Sequence, residues 1–355
     1  MKKLNLAVIG QGRSGRDIHG AYYLHEANTY YNVKYVVDRD EVRRNLAKEA
    51  FPGATILSDY TELYAYDDID IVVNSTYSEM HYPVARDLLA HGFNVLVEKP
   101  FARSKYECDS LINLAKEKGV TLAVFQQTFL APYYLFTKDL MTNGKIGEVK
   151  QASIRFNGFA RRWDWQTILR KCAGGLYNTG PHPVGIALGL LGFGENVRLE
   201  YSKLDTALTS GDGDDYAKLI LTDGKLVCDV EISSIDAYSD YNIKLQGTKG
   251  TFKTTTTDYK MTYIVDGENP EQPLIEESLK GEGGKPIYCR ENLIKHTEEG
   301  SFKGTAFDSA VATFYRQLYY KLTDGTPMDV TAEMAAEVIG VIEQTHAENR
   351  LPIKY

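Results

Sequence analysis

LNLAVIGQGRSG, residues 4–15, is the stretch of sequence that decides the fold. Its apolar run ends in a turn with the glycine spacing GxGxxG, and we expect a helix to begin near Arg16. In this arrangement Gly10 permits a tight turn, Gly12 lets the backbone approach a pyrophosphate, and Gly15 lets the helix pack closely on the strand. The start of the helix offers unpaired N–H groups to the phosphates. The predicted dinucleotide-binding loop is Gly10, Gln11, Gly12, Arg13, Ser14 and Gly15.

The rest of the amino-terminal half alternates apolar runs with helical patterns. Further strands are predicted at 33–37, 69–73, 94–97 and 120–125. Helices are predicted between them at 41–50, 82–91 and 104–118. Buried strands separated by helices of this length indicate βαβ units in a parallel, doubly wound sheet.

The pattern changes after residue 132. Longer strands with polar alternation are predicted at 151–156, 216–222, 226–233 and 241–246, with a turn or loop at 206–215 and two closing helices at 305–322 and 331–349. Polar alternation is typical of an antiparallel sheet with one solvated face. We therefore expect an α/β chain with a Rossmann domain at 1–127. An α/β domain at 128–355 should follow it, built on a large, mainly antiparallel open sheet.

Composition narrows the class of protein. The 355 residues exceed the roughly 250–300 at which a single core stops growing, which favours two domains. A net charge of −8 disfavours nucleic acid and anionic membranes as partners, and no apolar run is long enough to span a bilayer. The four cysteines form no CxxC pair, so neither a zinc site nor a disulfide framework is predicted. With no signal peptide predicted, we expect a cytoplasmic protein.

Asp38 closes the second predicted strand, 23 residues after Gly15. A carboxylate there accepts hydrogen bonds from an adenosine ribose and repels the extra phosphate of NADP, which favours NAD. Arg39 leaves NADP open, because an adjacent arginine can stack on adenine or bind that phosphate. The alternative is a structural glycine turn, with Asp38 capping the helix at 41–50.

Polar residues follow the other predicted strands, at the edge where a doubly wound sheet binds ligands. Ser75, Thr76 and His81 follow the third strand and should face nicotinamide, although His81 fits a helix surface equally well. Lys99 follows the fourth and would hydrogen-bond a substrate hydroxyl, unless it is a surface lysine paired with Glu98. Glu98 and Gln127, the latter closing the fifth strand, complete the predicted cofactor contacts.

Two segments of the second domain carry candidate substrate contacts. Asn178 and His182 are four residues apart, so a helix would place them on one face. A neutral imidazole can take a hydroxyl proton, and Asn178 would orient the ring, although a lone histidine is more often structural. Arg161, Trp163 and Trp165 indicate a polyol-binding loop, because sugar rings stack on aromatic faces. A cluster at the domain interface would explain them equally well.

These features together resemble the Gfo/Idh/MocA oxidoreductases, which include glucose–fructose oxidoreductase and inositol dehydrogenases. The resemblance is carried by GxGxxG, Asp38, the Glu98-Lys99-Pro100 segment and the Gly-Gly…Gly-x-His segment at 174–182. It implies that Lys99 orients the substrate and that His182 is the acid/base. It also implies that the open sheet forms the interface of a homodimer or homotetramer.

The sequence departs from the family at two positions. Asn178 stands where the family usually has Asp, which should leave the His182 pKa less elevated, and Tyr77 replaces a common Pro. We predict a metal-independent, NAD(H)-dependent oxidoreductase acting on a secondary alcohol or ketone of a sugar, cyclitol or derivative. Two alternatives stay open: an NAD-dependent glycosidase that oxidises its sugar transiently, and a non-catalytic ligand-binding relative.

Overall fold

The first of two β-sheets is parallel and doubly wound, as predicted. The computed structural model describes residues 2–305 and 307–355. The strand order in this sheet is β3-β2-β1-β4-β5-β6, with the reversal between β1 and β4. The strands are β1 (Leu4–Ile9), β2 (Tyr31–Val37), β3 (Thr55–Leu57), β4 (Ile71–Asn74), β5 (Val95–Glu98) and β6 (Leu122–Phe125).

The helices around this sheet follow the predicted pattern with one exception. Ser14–Gly20, after the glycine loop, forms a π-helix where an α-helix was expected. The α-helices are α1 (Ala21–Leu24), α2 (Glu41–Ala50), α3 (His81–Ala90) and α4 (Lys105–Lys118). The bounds of α4 have local causes: the Ser104 side chain accepts a hydrogen bond from the Glu107 N–H, and Gly119 ends the helix with φ 66°.

The second sheet has eight strands in the order β14-β13-β12-β11-β7-β10-β9-β8. All neighbours are antiparallel except β7 and β10, which are parallel. The strands are β7 (Val149–Asn157), β8 (Arg198–Asp205), β9 (Tyr216–Thr222), β10 (Val227–Ser233), β11 (Ile243–Gly247), β12 (Gly250–Thr254), β13 (Asp258–Tyr263) and β14 (His296–Ser301). The expected large, mainly antiparallel sheet is therefore confirmed.

Five helices accompany the second sheet and tie it to the first. They are α5 (Pro132–Thr142), α6 (Gly175–Asn178), α7 (Pro181–Leu190), α8 (Ser309–Asp324) and α9 (Ala332–Glu348). Helix α7 is apolar and buried almost throughout, and it packs between the sheet and α9. Helix α9 also packs on α4, while α8 brings Phe314 against Phe125 of β6. The carboxyl-terminal helices thus contact both sheets.

The helix predicted at 305–322 begins at Ser309 instead, and residue 306 lies outside the described residues. The helix predicted at 331–349 is α9, capped by the Thr331 side chain as its sequence indicates. Within residues 2–305 and 307–355, every helix is too short or too polar to cross a membrane.

Candidate active site

A cleft of about 390 Å³ opens at the carboxyl ends of β1, β2, β4 and β5. This is the edge, next to the strand-order reversal, where open α/β sheets bind ligands. It brings together thirteen of the predicted site residues: Gly10, Gly12, Arg13, Ser14, Asp38, Arg39, Ser75, Thr76, His81, Glu98, Lys99, Trp165 and Asn178. Six others do not line it: Gln11, Gly15, Gln127, Arg161, Trp163 and His182.

The glycine loop is shaped by close backbone contacts. A Cβ on Gly10 would lie 2.5 Å from the Ser75 carbonyl oxygen, and one on Gly15 only 1.8 Å from the Gly10 carbonyl oxygen. Gly12 differs, because the nearest atom to its Cβ position is Nη1 of Arg43 at 4.0 Å. Two glycines are therefore needed for the fold of the loop, and the third leaves open space beside the backbone.

Asp38 is buried at the end of β2, where it holds the loop through backbone donors. Its Oδ2 accepts from the Gln11 N–H at 2.7 Å, and its Oδ1 accepts from the Asp40 N–H at 2.8 Å. Gln11 therefore contributes to the site through its backbone. The cap of α2 is Asp40, whose side chain accepts from the Arg43 N–H, so the alternative in which Asp38 caps that helix is wrong.

Two arginines stand beside Asp38. Arg39 is mostly exposed and lies 3.3 Å from the Asp59 carboxylate. Arg43, which the sequence analysis missed, lies at the cleft wall with Nη1 3.8 Å from Oδ2 of Asp38. Its position in the first turn of α2 is the signal that would have found it, since that turn starts directly beyond the end of β2.

Lys99 crosses the cleft toward the second sheet's half of the molecule. Its ammonium donates to the backbone carbonyl of Asn178 at 2.9 Å, and its N–H donates to the Glu98 carboxylate at 2.9 Å. Burial lowers the pKa of Lys99, the Glu98 charge opposes that effect, and Arg13 and Arg162 add to it. Lys99 therefore lines the cleft and is not a surface lysine paired with Glu98.

His182 lies at the start of α7, with Nδ1 2.6 Å from the Thr128 hydroxyl oxygen. Burial and the Lys99 cation lower its pKa to about 3, so the imidazole is neutral at neutral pH. The prediction that Asn178 orients this ring is wrong, because the Asn178 side chain accepts from Gln166 Nε2 at 2.8 Å instead. Thr128 is the partner of the ring. No sequence pattern links two residues that are 54 positions apart.

His81 is buried beneath the strand ends rather than on a helix surface. Its Nδ1 lies 2.6 Å from the Pro100 carbonyl oxygen and its Nε2 3.2 Å from that of Thr76. The ring thus bridges the backbone after β4 and after β5. The Ser75 hydroxyl bonds the Ile9 carbonyl at 2.8 Å, which joins β4 to β1.

The aromatic loop is only partly in the cleft. Trp165 lines it and packs edge-on against Tyr77, with ring centroids 4.8 Å apart. Arg162 lines it too and bonds the Asp164 carboxylate at 2.7 Å. Trp163 is 77% exposed and Arg161 is also exposed, both outside the lining residues.

Gln127 is buried in the turn Gln127–Leu130 that follows β6, and it does not reach the cleft. Across the described ranges, 2–305 and 307–355, no group of three or more His, Cys, Asp or Glu side chains is arranged to hold a metal ion.

Comparisons with known proteins agree with this architecture. Residues 4–126 match "Oxidoreductase family, NAD-binding Rossmann fold", and residues 134–253 match "GFO/IDH/MocA C-terminal domain". An uncharacterised oxidoreductase of Schizosaccharomyces pombe is 28% identical over 77% of this chain and 76% of its own. Scyllo-inositol 2-dehydrogenase (NADP(+)) of Bacillus subtilis is 24% identical over 96% of this chain and 92% of its own.

Two further comparisons extend the range of relatives. A 2,7-anhydro-N-acetylneuraminate hydratase of Mediterraneibacter gnavus is 25% identical over 78% of this chain and 74% of its own. The solved structure of the Bacillus subtilis oxidoreductase YvaA superposes with a TM-score of 0.79 at 21% identity, covering 100% of this chain and 98% of that one. The chain belongs to the Gfo/Idh/MocA family of oxidoreductases, with an NAD-binding Rossmann domain followed by the family's C-terminal domain.

Proposed function

We propose that this protein moves a hydride between a bound nicotinamide and a secondary alcohol or ketone of a sugar, cyclitol or related polyol. One observation carries the proposal. Lys99, at the end of a strand that lines the cofactor cleft, reaches the carbonyl of Asn178, four residues before His182. The Lys99 cation therefore lines the cleft, and the neutral imidazole of His182 lies four residues beyond the Lys99 contact at Asn178. A cation and a neutral imidazole are the two groups that oxidation of a hydroxyl requires.

The chain's own residues supply orientation and proton transfer, while the nicotinamide, when bound, supplies the redox chemistry. The Lys99 ammonium hydrogen-bonds the substrate oxygen and stabilises the negative charge that develops on it. In the tautomer that carries its proton on Nδ1, His182 donates to Thr128 and its Nε2 is free to accept the hydroxyl proton. In the direction of reduction the same nitrogen returns the proton. We propose that residues 1–127 hold the cofactor and that residues 128–355 hold most of the substrate.

A polyol fits the groups on the substrate side. Trp165 offers an aromatic face beside Arg162, Asp164 and Gln166, which together supply donors and acceptors for hydroxyls. The related scyllo-inositol dehydrogenase supports the same class of substrate. Arg161 and Trp163 stay candidates for a larger substrate that extends beyond the cleft.

We propose NAD as the preferred cofactor, although the name of the same relative includes NADP(+). Asp38 presents a buried carboxylate where the ribose hydroxyls would bind, and this disfavours a phosphate there. Arg39 and Arg43 are the groups that would favour the phosphate. The ratio of the affinities for NADH and NADPH decides between NAD and NADP as the cofactor.

A reaction without net oxidation is the second candidate, since a relative is named as a hydratase rather than a dehydrogenase. Transient oxidation of a sugar makes the neighbouring C–H bond acidic, and elimination or addition of water can follow before the hydride returns. The same Lys99 and His182 would serve that reaction. It predicts conversion of an anhydrosugar or glycoside with no accumulation of NADH.

The test has a binding stage and a turnover stage. Fluorescence titration with NADH and NADPH establishes binding, and a panel of sugars and cyclitols with NAD is then followed at the absorbance of reduced nicotinamide. We expect Lys99→Ala and His182→Ala to lose at least 100-fold in kcat/KM while still binding NADH. Lys116→Ala, an exposed lysine on α4, is the matched control. Tight NADH binding with no turnover on any polyol, and no glycoside or anhydrosugar conversion, would overturn the proposal.

We further propose a cytoplasmic homodimer or homotetramer. The support is the face of the second sheet away from its helices, where Arg155, Lys218, Asp229 and Glu231 form a partly buried ion-pair cluster. Light scattering on the purified protein gives the mass directly, and a monomer at micromolar concentration would contradict the proposed assembly.

A further inference from the structure

A chain of buried polar side chains runs from the carboxyl-terminal helix α8 to the catalytic edge of the first sheet. The Tyr23 hydroxyl donates to the Tyr315 hydroxyl at 2.5 Å, and that oxygen lies 2.6 Å from Nδ1 of His19. Nε2 of His19 lies 3.0 Å from Oε1 of Glu98. The other oxygen, Oε2, accepts from the Lys99 N–H. The sequence analysis assigned no role to His19 or Tyr315.

The role of His19 in these contacts depends on its tautomer. In the tautomer whose Nδ1 accepts the Tyr315 proton, Nε2 carries the proton that faces Glu98. Burial holds the pKa of Tyr315 well above its ordinary value, so this phenol stays a donor. The contact of His19 with Glu98 is oblique for a hydrogen bond. The 3.0 Å separation still places the imidazole edge directly against the Glu98 carboxylate.

Two elements far apart in the sequence bring these groups together: the π-helix Ser14–Gly20 and helix α8. His19 belongs to the π-helix after the glycine loop, and it is fully buried against the ring of Phe125 at 4.5 Å. Tyr315 approaches from α8, 296 residues later in the chain. Single π-turns recur at functional sites because they redirect one side chain without ending the helix. Here the redirected side chain lies beside Glu98, the residue that precedes Lys99.

Glu98 needs such support to remain charged. Burial alone would raise its pKa, but His19, Lys99 and His81 outweigh burial, and the pKa is lowered. For Lys99, burial outweighs the neighbouring opposite charge, and the charged form is disfavoured. Burial lowers its pKa and Arg13 and Arg162 add to that effect, whereas the Glu98 charge opposes them and supports the ammonium. Whatever holds the Glu98 carboxylate therefore also acts on Lys99.

We propose that His19 and Tyr315 are positioning residues that fix the Glu98 carboxylate beside the Lys99 backbone and so keep the Lys99 ammonium charged. This rests on the proposed function only in its last step, where Lys99 acts on the substrate oxygen. The effect on Lys99 itself is a property of the free protein. It also couples helix α8 to the catalytic edge.

Tyr315→Phe is the most informative variant, because it removes one hydroxyl and keeps the ring. His19→Met removes the donor to Glu98, and His19→Gln supplies an amide N–H in its place. Tyr319→Phe is the matched control. Tyr319 also belongs to α8, but its hydroxyl donates to the Lys2 carbonyl and not to His19 or Tyr23. Thermal unfolding of each variant shows whether it is folded.

The readout is the reactivity of Lys99 in the protein without added cofactor or substrate. Competitive acylation across pH, with mass spectrometry of the Lys99 peptide, gives the pH at which the amine becomes reactive. We expect that pH to fall by about one unit in Tyr315→Phe and in His19→Met, to recover partly in His19→Gln, and to stay unchanged in Tyr319→Phe. Where a substrate is in hand, the alkaline limb of kcat/KM should move in the same way.

Folded Tyr315→Phe and His19→Met proteins whose Lys99 titrates as in the wild type would overturn the proposal. An equal shift in Tyr319→Phe would also overturn it, since the effect would then come from packing of α8. If labelling shifts as expected but no polyol is turned over, the positioning role holds and the proposed reaction fails.

Discussion

Thr128→Val should lower turnover without unfolding the site, because Thr128 is the hydrogen-bond partner of His182. The two atoms lie 2.6 Å apart, and Thr128 is buried, with 4% of its surface exposed. Valine keeps the shape and removes only the hydroxyl, which leaves Nδ1 of the imidazole without this hydrogen-bond partner. A buried polar group without a hydrogen-bond partner costs about 1–3 kcal/mol of free energy. Expressed in the transition state, this is about a 5-fold to 150-fold loss in kcat/KM.

The assay is steady-state kinetics on the best polyol, with NADH affinity measured separately by fluorescence. Thr128→Ser keeps the hydroxyl and should retain kcat/KM within about threefold, while NADH affinity should be unchanged in both variants. Wild-type activity in Thr128→Val, alongside an inactive His182→Ala, would refute the role of Thr128. An equal loss in the serine and valine variants would show that loss of the hydroxyl is not the specific cause.

Three further results are expected. Gly15→Ala puts a Cβ 1.8 Å from the Gly10 carbonyl oxygen, so NADH affinity should fall at least about tenfold, whereas Gly53→Ala, with open space at its Cβ, should bind normally by fluorescence titration. Asp38→Asn should shift the NADH-to-NADPH affinity ratio at least about tenfold toward NADPH, because the repelling charge is gone. Burial raises the pKa of Asp214 to about 7, so the folded state holds a proton between about pH 4 and 7 and stability falls as pH rises through that window. Denaturant unfolding at pH 5 and pH 7.5 measures this effect. Between those two pH values the free energy of unfolding should fall by about 2–3 kcal/mol more in the wild type than in Asp214→Asn, and an equal fall in both proteins would contradict the prediction.

The first sheet was predictable because its strands are buried on both faces and read as continuous apolar runs. β-Branched residues favour the strand at 33–37, and the Asp40 side chain caps the helix at 41–50, so both elements are specified locally. The edge strands β3 and β14 were missed for the converse reason. β3 has three residues, and β14 reads HTEEGS, with alternate residues exposed, so pairing with a neighbour rather than local pattern makes them strands.

The site was predictable only where a motif lies within one segment. The glycine loop, Asp38 and Lys99 follow strand ends, and strand ends can be read from sequence. Thr128 and His19 could not be found in that way. Each acts through a partner that the fold supplies from far along the chain, and an i→i+5 turn such as the π-helix has no periodic signature of its own.

The glycine pair before His182 shows how a short motif depends on a distant loop. Gly174 has φ 106°, and a Cβ there would lie 2.3 Å from Oδ1 of Asp214. The Asp214 backbone oxygen accepts from Gly175 N–H at 2.6 Å, and its carboxylate accepts from Leu176 N–H at 2.6 Å. The loop at 206–215, which the sequence presents only as a turn, thus anchors the start of α6. Since α6 ends at Asn178, whose carbonyl accepts from the Lys99 ammonium, the contact that holds the proposed catalytic lysine depends on a carboxylate in the other half of the molecule.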